Sequence, residues 1–321
     1  MSVSPSPRHR SVIVARLRAA GCVFAEDEAR LLISAARTRD DLAAMVDRRA
    51  AGLPLEHVLG WAEFCGLRIA MDPGVFVPRR RTEFLVSQAV SLASQAPARA
   101  RARPVVVVDL CCGSGAVGAA LAAALGRVEL HAADLDPAAA ACARRNVAAA
   151  GGRVYDGDLY RPLPATLRGR VDVLAANVPY VPTEEVGLLP PEARMHEPRL
   201  ALDGGADGLD VLRRVAAAAP QWLAPGGHLL AETSERQAAR AVGIVAESGL
   251  VPRLASSDEL NATVLIGTRP GPQGQSPPGA AAEHAPEPRS SVASASHGRS
   301  GHADSRPGIG PRSWRGAGMR G

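Results

Sequence analysis

The chain has 321 residues, 46% of them hydrophobic but only 3% aromatic, and its formal charge of +5 rests on arginine alone, since no lysine occurs. Seven arginines against three acidic residues lie from Arg269 onward, which leaves the residues before it near +1, without the cationic excess of a duplex-binding surface; a nucleic-acid partner is not expected. No apolar run reaches the roughly 18 residues of a membrane span, no signal-peptide apolar region opens the chain, and the five cysteines form no C-x-x-C pair; a cytoplasmic protein with reduced, buried thiols and no metal site is expected.

Residues 1–10 are polar and are expected to be disordered. Over residues 11–53 apolar positions recur at helical spacing, as at Val14 and Leu17, Leu31 and Leu32, Leu42, Met45 and Val46. Thr38 and Asp41 read as a capping box for a third helix, which Gly52 and Pro54 stop. This small helical domain has no cluster of titratable groups on an apolar surface, so its expected part is packing or the reading of a macromolecular partner. Residues 54–80 carry Trp61, Phe64 and Phe76 in strand-like segments with Gly and Pro turns, which predicts a hairpin linker, with His57 held there by a hydrogen bond. A helix is predicted from Arg80 to Ala96, then an Ala/Arg/Pro linker from Pro97 to Pro104.

At Val105 the period changes. Val105–Asp109 is a continuous apolar strand, followed by the glycine turn Leu110–Gly118 and an alanine-rich helix to about Leu125. Further strands are predicted at 127–134, 153–158, 170–176, 227–233, 251–255 and 263–267. Between them lie a helix through Asn146 opened by Asp136 and Pro137, a helix over 208–219, and one capped by Ser234 with Gln237. Strands alternating with helices at this spacing predict an α/β fold with a doubly wound parallel sheet over residues 81–268. Residues 269–321 are Gly, Pro, Ser, Ala and Arg with almost nothing to bury, and are expected to form a disordered tail.

Two stretches carry chemistry. Gly113-x-Gly115-x-x-Gly118 follows a strand and opens a helix, and Asp134 ends the next strand, which is the geometry of a nucleotide-type cofactor site. Asp109, at the tip of the first strand, would repel a pyrophosphate but suits a cationic amino-acid cofactor, so S-adenosylmethionine is favoured over a nicotinamide dinucleotide. Asp158 after the third strand either accepts from an adenine amino group or starts an Asx turn. The second stretch is Asn177-Val178-Pro179-Tyr180, where an apolar strand ends. The Asn177 side-chain oxygen and the Val178 carbonyl are two acceptors placed to hold the two hydrogens of one planar amine or amide.

Asp109-x-Cys111-x-Gly-Ser-Gly115, Asn177-Val-Pro-Tyr180, Val77-Pro-Arg-x-x-Thr-Glu83 and Glu197-Pro-Arg-Leu-Ala-Leu-Asp-Gly-Gly-Ala-Asp-Gly208 together resemble the HemK/PrmC protein-glutamine N5-methyltransferases, over roughly residues 10–268. The resemblance implies a Rossmann-like, seven-stranded methyltransferase sheet beside a helical substrate-recognition domain, and S-adenosyl-L-methionine as cofactor. It assigns the cofactor to Asp109, Cys111, Gly113, Ser114, Gly115, Asp134, Leu135, Asp158 and Asn177. It assigns the substrate to Asn177, Val178, Pro179 and Tyr180, with Arg79 and Glu197. It also implies a monomer acting on a class I release factor at its Gly-Gly-Gln glutamine. Two departures stand out: Val178 where the family has proline, and Arg81 where it has glutamate. The alternatives are an adenine-N6 or guanine-N2 nucleic-acid methyltransferase, since Asn-x-Pro-Tyr serves exocyclic amines too, and a non-catalytic cofactor-binding module.

Overall fold

The computed structural model describes residues 6–95 and 103–271; most of the expected tail and most of the expected Ala/Arg/Pro linker lie outside the described residues, while Arg269, expected to open the tail, instead accepts the Gly226 N–H and donates to the Gly227 carbonyl, each at 2.9 Å. Four helices come first: α1 Pro7–Ala19, α2 Ala25–Ala35, α3 Arg39–Ala50 and the short α4 Leu55–Leu59. The start of α1 corrects the expectation of disorder up to residue 10. The Ser6 hydroxyl accepts the His9 N–H at 3.3 Å, and Pro7 already has the φ of a first helical residue. At α3 the Thr38 hydroxyl accepts the Asp41 N–H at 3.0 Å, while the Asp41 carboxylate takes the N–H of Arg37 rather than that of Thr38. Leu17, Leu32, Ile33, Leu42, Val46 and Val58 close these helices around a core of their own.

Strands β1 Trp61–Phe64 and β2 Leu67–Ala70 form the expected hairpin, and His57 Nε2 lies 2.8 Å from the Val75 carbonyl oxygen. The strand-like run at 75–77 does not pair. Pro78 removes a donor and the Val77 N–H goes to Glu197 at 3.3 Å instead of to a neighbouring strand. A 3₁₀ turn over Arg80–Thr82 leads into α5 Glu83–Ser94.

The remaining elements are β3 Val105–Leu110, α6 Ala116–Leu125, β4 Val128–Asp134, α7 Pro137–Val147, β5 Arg153–Asp156, β6 Val171–Ala176, α8 Pro191–His196, α9 Asp210–Trp222, β7 Leu223–Thr233, α10 Glu235–Glu247, β8 Val251–Ser257 and β9 Ala262–Thr268. The seven long-range strands form one sheet in the order β5-β4-β3-β6-β7-β9-β8. It is parallel from β5 to β7, but β9 runs antiparallel to both β7 and β8. A wholly parallel sheet is excluded at this edge because only the turn 258–261 joins β8 to β9, too short for a crossover helix.

Alternate residues of each strand face opposite sides. Val107, Val173, Ala175 and Leu230 pack under α5, α6 and α7. Val106, Val108, Leu174 and Leu229 pack under α9 and α10. Helix α9 outruns its predicted end at 219 with Pro220 in its last turn, where buried Trp222 stacks on Tyr160 at 5.3 Å between ring centroids. From β3 the chain builds β4 and β5 outward on one side, then returns to lay β6 on the other. The carboxyl ends of β3 and β6 therefore diverge at a topological switch point, where open α/β sheets bind ligands.

Candidate active site

A cavity of about 510 Å³ opens at that switch point, walled by the ends of β3, β4, β6 and β7 and by the segment that follows β6. Cys111 and Gly113 turn left-handed at φ 52° and 54°, which takes the chain across the floor of the cavity. Gly115 is needed for close approach as well as for its φ of 76°: a Cβ there would lie 3.0 Å from that of Ala143 on α7. Gly115 itself stands behind the wall, whereas Cys111, Gly113 and Ser114 line it.

Two carboxylates face this floor. Asp134, at the end of β4, accepts the Gly113 N–H at 2.8 Å on Oδ2 and the Asp136 N–H at 2.9 Å on Oδ1. Each oxygen keeps a lone pair, enough for two hydroxyl donors. Burial raises the Asp134 carboxyl above its ordinary value, with the backbone N–H groups pulling the other way. Asp109 is 1% exposed; its Oδ2 accepts the Gly118 N–H at 2.9 Å, and burial pushes its carboxyl up to about 7. A buried carboxylate with one backbone partner is stabilised by an arriving cation. Half-exposed Leu135 adds an apolar surface beside Asp134. The Asp158 carboxylate meets Arg214 Nη2 at 2.6 Å and accepts no backbone N–H among the described residues, so no Asx turn forms there.

On the other side, β6 delivers Asn177-Val178-Pro179-Tyr180 into the cavity wall. The Asn177 Oδ1 is buried and has no hydrogen-bond partner among the described residues. Leaving such an acceptor unpaired costs about 1–3 kcal/mol. The loop is held from behind. Val181 N–H donates to Leu202 O at 3.0 Å, Gly204 N–H to Val181 O at 2.8 Å, and Thr183 N–H to Gly205 O at 2.9 Å. A Cβ on Gly204 would fall 2.6 Å from the Pro179 carbonyl oxygen, so the Asp203-Gly204-Gly205 run is what lets the two segments lie together.

Several predicted residues thus meet at one cavity: Arg79, Asp109, Cys111, Gly113, Ser114, Asp134, Leu135, Asp158 and the Asn177–Tyr180 loop. Glu197 does not line it. Its side chain is 1% exposed and takes Arg79 Nη2 at 2.6 Å on each oxygen, and burial raises its carboxyl. Glu197 pins the segment after β6 to the linker before α5, and Arg79 is the member of the pair that reaches the wall.

Sequence reasoning missed Glu232 and Gln237. Glu232 is the second-last residue of β7, the neighbour of β6, and its position near a strand's carboxyl end was the available signal. Gln237 was expected to cap α10 with Ser234. Instead the Ser234 hydroxyl donates to Gln237 Oε1, which turns Nε2 to the carbonyls of Tyr180 at 2.9 Å and Asp207 at 3.0 Å. Glu192, in α8, lines the cavity and accepts Arg49 Nη1 from α3 at 3.2 Å, a direct link between the first helices and the site.

The methyltransferase small domain family matches residues 67–188. A release factor glutamine methyltransferase of Geobacter sulfurreducens is 38% identical over 237 residues, covering 72% of this chain and 80% of the relative. One from Streptomyces coelicolor is 39% identical over 206 residues, covering 63% and 70%. A 4-amino-L-phenylalanine/4-methylamino-L-phenylalanine methyltransferase of Streptomyces pristinaespiralis is 35% identical over 226 residues, covering 70% and 76%. Among solved structures, a protein-(glutamine-N5) methyltransferase from Alicyclobacillus acidocaldarius aligns at 25% identity and a TM-score of 0.37, over 60% of this chain and 94% of that one.

Proposed function

The chain belongs to the release factor glutamine methyltransferases, S-adenosylmethionine-dependent enzymes that methylate a protein glutamine, and we propose that it carries out this reaction where β6 ends, on the glutamine of a Gly-Gly-Gln segment in a class I release factor. The observation that carries this reading is the buried Asn177 Oδ1, without a hydrogen-bond partner among the described residues, in the wall of a cavity whose floor suits the cofactor.

The residues present fit S-adenosylmethionine. Asp109 is a buried carboxylate that would hold the ammonium of its amino-acid part, Asp134 has free lone pairs for the ribose hydroxyls, and Leu135 and Asp158, which line the same cavity, would give the adenine an apolar face and an acceptor for its amino group. When bound, the cofactor supplies a methyl group on a positively charged sulfur.

The nucleophile is an amide nitrogen, poor because its lone pair is delocalised into the carbonyl. Asn177 Oδ1 and the Val178 carbonyl accept its two hydrogens, which fixes the plane of the amide and stabilises the positive charge that develops on nitrogen. Pro179 and Tyr180 follow the two acceptors and line the same cavity, where Tyr180 walls the pocket. No side chain has to remove a proton beforehand: once the methyl group is on nitrogen, the cationic amide loses one of its two hydrogens as a proton to solvent and becomes a neutral N-methyl amide. Arg79, anchored by Glu197, lines the cavity, which supports a contact with the substrate.

The helices over residues 11–53 read the substrate protein in this account, supported by the Arg49–Glu192 contact that joins them to the cavity wall. Among the described residues no helix is long and apolar enough to cross a membrane, and a translation-factor substrate supports a cytoplasmic location. An exocyclic amine of a nucleic acid is not favoured, since the relatives above are named for glutamine or amino-acid substrates.

The test is methyl transfer from labelled cofactor to a release-factor domain bearing Gly-Gly-Gln, with total RNA as the competing acceptor. Mass spectrometry should place one methyl group on the glutamine side chain. Label in RNA, or none in the glutamine peptide, would contradict the reading.

A further inference from the structure

Arg81 sits ahead of α5 and reaches partners on two other elements. Its Nε donates to Glu232 Oε1 at 2.6 Å and its Nη2 to the Tyr180 hydroxyl at 2.6 Å. The Tyr180 hydroxyl in turn donates to the same Glu232 oxygen at 2.8 Å, and Thr82 Oγ1 donates to the other at 2.7 Å. Glu232 has a side chain only 3% exposed, so its charge needs a cation, and a guanidinium fork can also address a second acceptor at fixed separation. The three groups close a ring across the ends of β6 and β7.

The ring sets the position of the receiving loop. Asn177 makes no hydrogen bond through Oδ1 among the described residues, and Val178 is buried apolar surface, so neither side chain anchors itself by polar contacts. Tyr180 is anchored twice: its main-chain carbonyl accepts Gln237 Nε2 at 2.9 Å, and its hydroxyl is held by Arg81 and Glu232. Burial and the Glu232 charge raise the Tyr180 phenol well above its ordinary value, with Arg81 opposing them, so the hydroxyl keeps the proton that the ring uses.

We propose that Arg81 is a positioning residue for methyl transfer: by holding Tyr180 against Glu232 it fixes the Asn177 and Val178 acceptors in the arrangement that receives the amide. The inference rests on the methyl-transfer reading above and adds a residue outside the Asn-Val-Pro-Tyr segment. It gives the arginine that departs from the family pattern a task tied to the other departure, since Val178 leaves the loop less rigid than a proline would.

The test is a double-mutant cycle of Arg81→Lys, Tyr180→Phe and the pair together. Lysine keeps a charge beside Glu232, which protects folding, but cannot span both partners. Three readouts are taken: kcat and KM with the Gly-Gly-Gln substrate, S-adenosylmethionine affinity by calorimetry, and amide exchange of Val181 in the protein alone. Each single change should lower kcat about tenfold, the energy of one hydrogen bond to a charged group. The double variant should be no more than about twofold worse than the worse single one, because both remove the same tether. Cofactor affinity should stay within about twofold, and Val181 exchange should speed up in every variant. Independent losses that multiply in the double variant, or unchanged Val181 exchange, would overturn the proposal. A wild-type protein that fails to methylate the substrate overturns the functional reading instead, and the exchange readout, which uses no substrate, still decides the tether.

Discussion

Glu197 and Arg79 meet across 118 positions of sequence, with both carboxylate oxygens 2.6 Å from one guanidinium nitrogen. Glu197→Gln keeps the shape and removes the charge from a side chain that is 1% exposed while its partner is 33% exposed. The solvent access of Arg79 discounts the loss to about 1–2 kcal/mol. Urea unfolding should show that loss together with a raised KM for the protein substrate. A variant as stable as wild type with an unchanged KM would remove this pair from the account.

If Asp109 holds the cofactor's ammonium as proposed, it links cofactor binding to pH. Burial raises its carboxyl from the usual 3.8 to about 7, so its contribution to stability is fully present below the unfolded value and is lost as the pH rises through about 7. A bound ammonium favours the ionised form, so affinity should run the other way and rise toward pH 7, with a proton released on binding below that pH. Calorimetry at pH 6 in buffers of different ionisation enthalpy measures this release. Asp109→Asn should abolish it, and the comparison cancels the cofactor's own amino group. Equal proton release by the two proteins would show that Asp109 does not meet the cation.

In the proposed grip Val178 would contribute only its carbonyl, which any residue provides. Its N–H donates no hydrogen bond among the described residues, so Val178→Pro removes no donor in use. Methyl transfer by this variant should stay within about threefold of wild type, the lost valine packing being offset by a stiffer loop. A loss of a hundredfold in steady-state kcat would mean that the valine side chain or N–H takes part.

Legibility followed the range of the forces involved. The apolar runs of β3, β4 and β6, the Asp136-Pro137 helix start and the glycine turn at 113–118 are local in origin, and each stands close to where sequence reading puts it. The start of α1 escaped because Ser6 and Pro7 act by capping rather than by apolar period. Beyond the Asn-Val-Pro-Tyr loop the site was less legible. Glu232, Gln237, Arg49 and Glu192 acquire their roles from partners dozens to well over a hundred positions away, which only the closed sheet brings together. Glu197 was found as part of a motif, but its place behind the wall depends on the unpaired chain at 75–79, where a strand was expected.

The grip on the amide is the centre of the account, and Asn177→Ala tests it most directly in single-turnover methyl transfer to the Gly-Gly-Gln glutamine, measured beside S-adenosylmethionine affinity. The loss of one preorganised partner of the developing charge predicts a rate lower by about 10²–10³ with affinity within about threefold. A rate within about fivefold of wild type at saturating cofactor would contradict the claim that Asn177 holds the nitrogen that is methylated.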